Sequence, residues 1–276
     1  MGGINSTVTL HNGVKMPWLG LGVYDAQEGD EVKTAIKEAL KIGYRSIDTA
    51  AFYHNEVGVG EAVRESAIPR EDIFVTTKVW NTDQGYEETL KAFDMSMEKL
   101  GLDYLDLYLV HWPVKEKYKD TYRALEELYA KGRVRAIGVS NFSIRQLKDL
   151  LGDCHVKPMI NQIELHPMLT QEEVRNFCKE QGIHVQAWSP LMRGKSIFTN
   201  ETIQQLASKY NKTPAQIILR WDIQSGILTI PKSVTPSRIK ENSEIFDFEL
   251  SQEDMKAIDN LNQNYRTGQD PEDFKF

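Results

Sequence analysis

A strand-like apolar run followed by a helix-like run recurs eight times along this chain, at intervals of roughly 30 residues, and that alternation leaves few folds open. The apolar runs are Trp18–Gly22, Tyr44–Ile47, Ile73–Thr77, Leu105–Val110, Val134–Val139, Met159–Leu165, His184–Ala187 and Ile227–Ile230. Several are apolar at consecutive positions, as strands covered by helices on both faces must be. The segments between them carry the other period. Tyr86, Leu90, Phe93, Met97 and Leu100 are spaced by four, three, four and three, which draws one apolar stripe along a helix. Eight such units fit a (β/α)8 TIM barrel; a doubly wound parallel sheet is the competing arrangement, and length does not separate the two.

Local signals agree with the alternation. Ser143-Ile-Arg-Gln146 and Thr170-Gln-Glu-Glu173 read as capping boxes, and Pro214 follows Thr213 where a first helical turn would begin. Val8 to Val14 reads as a hairpin with Asn12-Gly13 at its turn, a pair that tolerates two positive φ angles. No Pro-, Gly- and Ser-rich stretch is long enough to be a linker, so residues 1–276 are expected to form a single domain.

Composition excludes several classes. Lys and Arg number 33 against 40 Asp and Glu, a net charge of −7, which argues against nucleic acid as a partner because the phosphate backbone demands a basic surface. No apolar run approaches the 18 or so residues of a membrane span, so no membrane partner is expected. The two cysteines, Cys154 and Cys178, lack metal-type spacing and cannot form a disulfide framework, which reads as a reducing compartment. Met1-Gly2-Gly3-Ile4-Asn5-Ser6 matches the myristoylation template, but so short a pattern arises often by chance. No signal sequence opens the chain, and the expected location is the cytoplasm.

Each apolar run gives way to polar or small residues at its C-terminal end. The run ends carry Gly22-Val23, Asp48, Lys78, His111, Ser140-Asn141, Gln162, Trp188-Ser189-Pro190 and Lys232-Ser233. In a barrel all strand C-termini open on one face, so residues distant in sequence converge there. Asp48, Tyr53, Lys78 and His111 offer a carboxylate, a phenol, an ammonium and an imidazole. A phenol titrating near 10 needs an adjacent cation to give up its proton at neutral pH. Lys78 can supply that cation, Asp48 can hold Lys78 charged, and His111 can donate a hydrogen bond to a carbonyl oxygen. A Schiff-base role for Lys78 is the rival chemistry, and a neighbouring carboxylate works against it by keeping the amine protonated. His166 reads as a loop-capping histidine, with no second ligand at metal spacing, so no metal is expected.

Through these residues and the segments around them, the chain resembles the aldo-keto reductases over nearly its whole length. The segments that carry the resemblance are Gly43-Tyr-Arg-Ser-Ile-Asp48-Thr-Ala-Ala-Phe-Tyr53-His-Asn-Glu56, Leu102-Asp-Tyr-Leu-Asp-Leu-Tyr-Leu-Val-His111-Trp-Pro113, Gly138-Val-Ser-Asn141-Phe142 and Ile230-Pro-Lys-Ser233. It is most similar to the short-loop bacterial members that reduce glyoxals, keto-sugars and assorted aldehydes. The resemblance implies a barrel closed below by the N-terminal hairpin, and a cofactor bound extended without a Rossmann domain. The chain agrees in one respect, since its nearest approach to a dinucleotide fingerprint, Gly58-Val-Gly60-Glu-Ala-Val63, lacks the third glycine and lies in a helix-like segment.

Carried over residue by residue, the resemblance makes Asp48, Tyr53, Lys78 and His111 the catalytic set. It puts Ser140, Asn141 and Gln162 on the carboxamide, Trp188 under the nicotinamide ring, and Ser189, Leu191, Arg193 and Ser196 along the pyrophosphate. Lys232, Ser233, Val234, Arg238, Glu241 and Asn242 fall at the adenosine end, with Gly22, Val23 and Ile230 also against the cofactor. Two cations and a hydroxyl there suit a 2′-phosphate, so NADPH is the expected cofactor. The Arg193-Gly-Lys195 stretch departs from close relatives. Tyr24, Trp80, His111 and Trp112 are expected to meet a small-molecule carbonyl substrate. Substrate choice is expected to lie in Val114–Lys119, Met192–Thr199 and the tail Asn264–Phe276, and the family default is a monomer. A regulatory NADPH-binding module, of the kind the potassium-channel β subunits represent, is the rival from another class.

Overall fold

A strand apolar at every position is stable only where both faces are covered, and a closed barrel inside a ring of helices provides that. The structure, a computed structural model, describes residues 2–194 and 196–276. Met1 of the myristoylation template and Lys195 of the Arg193-Gly-Lys195 stretch lie outside the described residues. The chain opens with β1 (Thr7–Thr9) and β2 (Lys15–Pro17), which pair antiparallel. The barrel strands are β3 (Leu21–Gly22), β4 (Ser46–Asp48), β5 (Phe74–Val79), β6 (Leu105–Val110), β7 (Val134–Ser140), β8 (Ile160–Glu164), β9 (His184–Trp188) and β10 (Leu228–Thr229). They form one parallel sheet in sequential order.

The seam between first and last strands decides between the two arrangements the sequence left open. Leu19 bridges Thr229 and Gly22 bridges Lys232, both in parallel sense. Gly20 and Gly22 donate their amides to the Thr229 and Pro231 carbonyls at 3.0 and 3.2 Å, and the Thr229 amide donates to the Trp18 carbonyl at 3.0 Å. The sheet therefore closes, and the fold is a (β/α)8 barrel.

Helices cover the outside: α1 (Asp30–Ile42), α2 (Glu56–Arg64), α3 (Tyr86–Leu100), α4 (Tyr118–Ala130), α5 (Ile144–Leu151), α6 (Glu172–Gln181), α7 (Glu201–Tyr210), α8 (Pro214–Gln224), α9 (Pro236–Ser243) and α10 (Gln252–Asp259). Two of them, α7 and α8, stand between β9 and β10, where the regular alternation predicts one. Alternation along β6 shows both covered faces. Leu107 and Leu109 pack with Leu10 and Met16 of the hairpin region and with Phe74 and Leu228, near the strand starts. Tyr108 and Val110 belong to the larger cluster under the helices. The hairpin thus plugs the end of the barrel opposite the strand C-termini.

The capping boxes divide. Ser143 and Gln146 form one at α5, and Thr213 and Gln216 form one at α8 with Pro214 in its first turn. At α6 there is none: Gln171 is the N-cap, in the left-handed region at φ 48°, with no side-chain cap bond. The Gln171 amide instead reaches back to the Glu164 carbonyl at 2.6 Å, a tertiary bond that overrides the local signal. The hairpin turn differs too. Only Gly13 takes positive φ, at 87°, while the Asn12 side chain bonds the Val14 amide at 3.2 Å and the Arg135 carbonyl at 2.9 Å. A type I turn closed by a positive-φ glycine replaces the mirror-image turn that the dipeptide suggests.

Gly58 and Gly60 lie in α2, so their spacing serves helix packing rather than a phosphate. A Cβ on Gly60 would sit 1.9 Å from the carbonyl oxygen of Leu100 at the end of α3. Backbone cannot yield as a side chain does, so Gly60→Ala is expected to destabilise the fold by about 3 kcal/mol. Gly2→Ala, with no atom within 4 Å of its Cβ, is expected to leave stability unchanged. Urea denaturation of the two variants beside wild type checks the difference.

Candidate active site

Apolar runs that end in a polar residue place that residue at the rim of a barrel, and here the rim surrounds a cavity of about 1070 Å³. Asp48 is the last residue of β4 and Lys78 the penultimate residue of β5. His111 directly follows β6, and Tyr53 ends a short 3-10 turn, Ala51–Tyr53, after β4. Asn55 fixes that turn. Wholly buried, it accepts from the Thr49 hydroxyl at 2.7 Å and donates to the Val23 and Ala26 carbonyls at 2.9 and 3.0 Å, tying the loop of Tyr53 to that of Tyr24.

Lys78 is sealed from solvent, with 0% of its surface exposed. Its Nζ donates to Asp48 Oδ1 at 2.5 Å, to the Thr49 carbonyl at 2.9 Å and to the Tyr53 hydroxyl at 3.4 Å. Three acceptors for three ammonium hydrogens leave no lone pair for an addition reaction, and Lys78 does not line the cavity. That geometry disfavours the Schiff-base rival. The other carboxylate oxygen of Asp48 accepts from Gln162 Nε2 at 2.8 Å, and the same amide donates to Gln186 Oε1 at 2.8 Å. A buried polar chain thus crosses the barrel mouth from β5 to β9.

Titration follows from this packing. Burial works against the Lys78 charge, but Asp48 and Tyr53 beside it outweigh burial and raise its pKa above the ordinary lysine value. Tyr53 corrects part of the sequence argument. Burial raises its pKa, and Lys78 only partly offsets that, so at neutral pH the phenol stays protonated. The cation next to it serves the phenolate left after a proton has gone, not a phenolate standing in the resting protein. Burial and the Lys78 charge lower the His111 pKa well below the ordinary histidine value, which keeps the imidazole neutral, one nitrogen a donor and one an acceptor. The rings of Tyr53 and His111 stand 5.8 Å apart, edge to face, over the same cavity.

The expected cofactor positions mostly converge there. Ser140, Asn141, Gln162, Trp188, Ser189, Leu191 and Arg193 line the cavity, as do Gly22 and Ile230. Lys232, Ser233, Val234, Arg238, Glu241 and Asn242 line its far end. Asn141 and Ser189 hold left-handed backbone at φ 63° and 52°, strain of the kind found where side chains are aimed at a ligand. The Trp188 Nε1 donates to Asn141 Oδ1 at 2.8 Å, which fixes the indole plane. The seam requires a glycine at position 22, since a Cβ on Gly22 would lie 2.8 Å from the Ile230 carbonyl oxygen. Two expectations fail. Val23 turns its side chain into the hydrophobic core at 1% exposure, because one residue along a strand end reverses the face. Ser196, exposed at the start of a 3-10 turn, does not line the cavity.

Tyr24, Trp80 and Trp112 also line the cavity, so with Trp188 three tryptophans of the rim face it. Around them stand aromatics not singled out in the sequence, one at Phe52 and two in the tail Asn264–Phe276 where substrate choice is expected to lie. Phe52 stacks on Trp80 with centroids 3.8 Å apart, Phe274 stacks on Trp112 at 4.7 Å, and Phe276 meets Trp80 edge-on at 6.1 Å. Gln186 and Asn55 were missed as well, for neither stands at a strand end. His166 is no rim group. It is buried, and its Nε2 lies 3.2 Å from Glu164 Oε1.

Comparison with known proteins bears on this arrangement. Residues 18–263 match the model of the aldo/keto reductase family. The chain is 59% identical to the glyoxal reductase of Bacillus subtilis (strain 168), over 99% of each chain. Its fold is similar to the crystal structure of an aldo-keto reductase from a Medee basin deep-sea metagenome library, with TM-score 0.95, 46% identity and coverage of 98% and 100%. It is also similar to the structure of a Gox0644 mutant in complex with NADPH, with TM-score 0.93, 42% identity and coverage of 98% and 99%.

The buried pair makes a stability prediction independent of any activity. Side-chain exposures of 0% and 2% leave Asp48 no water to turn to when Lys78 is removed. Lys78→Met is therefore expected to cost about 3–5 kcal/mol, and Lys78→Met with Asp48→Leu to regain most of it. Thermal melts of the two variants at pH 7 check this.

Proposed function

The chain belongs to the aldo/keto reductase family, and on that premise we propose that it reduces small reactive aldehydes and ketones to alcohols with NADPH, Tyr53 giving the proton. Glyoxal and methylglyoxal are the expected substrates, with keto-sugars as a further class. The observation that carries the reading is the Tyr53 hydroxyl beside Lys78 Nζ, on the wall of a cavity that His111 shares.

The residues fit such a cofactor. One cavity of about 1070 Å³ is lined by Tyr53 and His111 as well as by Lys232 and Arg238, a volume at the upper end of cofactor sites. Trp188 offers an aromatic face near the reacting end, and Ser140, Asn141 and Gln162 offer hydroxyl and amide groups for a carboxamide. At the far end Lys232 and Arg238 are exposed cations, with no salt-bridge partner among the described residues, as a 2′-phosphate site requires. When bound, NADPH supplies the hydride that reaches the carbonyl carbon.

The chain's own groups do the rest. Neutral His111 donates a hydrogen bond to the carbonyl oxygen and turns it toward Tyr53. Tyr53 protonates that oxygen as negative charge develops on it. The phenolate that remains lies against the Lys78 ammonium, which Asp48 holds in place, so charge is neutralised where it forms. Tyr24, Trp80 and Trp112 hold the rest of the substrate. Residues 1–276 act as one catalytic unit in this reading, since the tail lines the same cavity as the strand ends. The unpaired Cys154 and Cys178 fit a cytoplasmic enzyme. Tyr24, Phe52 and Phe276, three of the six exposed large apolar side chains among the described residues, line the cavity, and a monomer is the state proposed.

Tyr53→Phe removes one oxygen and is expected to lower kcat for methylglyoxal by at least about 10²–10⁴-fold while leaving the Kd for NADPH nearly unchanged. Retention of more than a tenth of wild-type kcat would remove Tyr53 as the donor. At the other end of the cavity, Arg238→Ala is expected to weaken NADPH binding about tenfold, the low end for a charged contact at an exposed site. NADH has no 2′-phosphate and should bind with unchanged Kd. Titration of tryptophan fluorescence with each cofactor measures both.

A further inference from the structure

The tail that carries Phe274 and Phe276 is held by a carboxylate that takes no part in the chemistry. Glu164, the last residue of β8, is 1% exposed. Its Oε1 accepts from the Thr267 amide at 2.6 Å and from the Thr267 hydroxyl, and its Oε2 accepts from the Gly268 amide at 3.1 Å. His166 Nε2 stands 3.2 Å from the same Oε1. A buried carboxylate bonded to two consecutive backbone amides is a strong anchor, because each bond is charge-assisted and shielded from water. Other anchors flank it: the Gln263 and Tyr265 amides donate to the Met168 carbonyl at 3.1 and 3.0 Å, Gln146 Nε2 donates to the Pro271 carbonyl at 3.1 Å, and Arg145 pairs with Glu272 at 2.7 Å, with side chains 68% and 44% exposed. Exposed pairs hold little.

The place of the first anchor matters. Gly268 packs so closely on Trp188 that a Cβ there would lie 2.6 Å from the indole edge. Six residues on, Phe274 lies flat on Trp112, and Phe276 meets Trp80. The tail therefore crosses from the ring at one side of the cavity to the two tryptophans at the other, and Glu164 holds it where it passes Trp188. We propose that Glu164 is a positioning residue for substrate recognition: by pinning Thr267 and Gly268 it places Phe274 and Phe276 to complete an aromatic wall with Trp80 and Trp112. A wall of that make takes carbonyls bearing a planar apolar substituent, by stacking. Small carbonyls such as methylglyoxal carry no planar ring to stack on Phe274 and Phe276, and do not depend on those two side chains. The inference rests on the reductase reading above.

The test is steady-state kinetics of Glu164→Gln with benzaldehyde and with methylglyoxal. An amide has one acceptor oxygen, so one of the two backbone N–H groups loses its partner and the tail shifts. The expected result is a KM for benzaldehyde raised about tenfold, a KM for methylglyoxal changed less than about twofold, and kcat held for both. Phe274→Ala, with Glu164 intact, is expected to show the same split, and the double variant to lose less than the product of the two single effects, because both act on the same wall. Equal effects on both substrates, no effect on either, or full additivity in the double variant would overturn the proposal. If Glu164→Gln melts below the assay temperature, Thr267→Val carries the test, since it removes one bond to Glu164 without touching the carboxylate. A wild-type protein that reduced neither aldehyde would refute the reductase reading instead, which keeps the two failures apart.

Discussion

An ammonium with no access to water must be surrounded by acceptors or lose its proton, and the mouth of this barrel is organised by that demand. Lys78 meets it with Asp48, the Thr49 carbonyl and the Tyr53 hydroxyl. Asp48 in turn needs its second oxygen satisfied, which Gln162 does, and Gln162 shares its amide with Gln186. These groups come from β4, β5, β8 and β9, strands on different sides of the barrel, so the network exists only when the sheet is closed. Closure rests on the seam at Gly22 and Lys232 and, at the other end, on the plug of Leu10 and Met16. Stability of the whole fold and charge on one side chain are thereby linked.

The same arrangement suits a phenol rather than a histidine to the proton-donating role in the proposed reaction. Burial pushes the His111 pKa down and the Tyr53 pKa up, which leaves both neutral near pH 7. Two neutral groups face the cavity. Only one of them has a cation ready at 3.4 Å to receive the negative charge that proton loss creates. His111 has the opposite surroundings, for the Lys78 charge disfavours an imidazolium beside it. The proposed division of labour between Tyr53 as donor and His111 as orienting group follows from where Lys78 points.

Much of this is legible in the sequence because polar residues that end apolar runs have one place to go. Asp48, Lys78, His111, Ser140 and Gln162 stand out that way, and the structure brings them together. Legibility fades where a signal is tertiary. Gln186 lies within a strand and looks like an ordinary core exception, until Gln162 is seen to need an acceptor. Thr170 has the spacing of a capping residue, yet Gln171 is drawn to the Glu164 carbonyl and the helix starts differently. Val23 follows Gly22 in sequence and turns the other way in space. Phe52, Phe274 and Phe276 carry no periodicity that would assign them to a pocket; their role comes only from the stacking partners that the fold supplies.

The cavity's two halves are held by different means, and that difference governs how substrate range can change. Asp48, Lys78 and His111 sit at or next to ends of strands fixed by parallel pairing on both sides, and Tyr53 on a turn that Asn55 ties down, so their positions are costly to alter. The aromatic wall is built half from the rim, at Trp80 and Trp112, and half from the last residues of the chain. A change in the tail alters what fits against the wall without touching the Lys78 network. A change at Glu164 acts on that wall from within the barrel, through two backbone amides. Glu164 and Lys78 are both buried charges at the ends of strands, but in the proposals above Lys78 serves the proton and Glu164 the shape of the pocket. Replacing either carries the penalty of an unpaired buried group; the difference lies in which property of the enzyme moves with it.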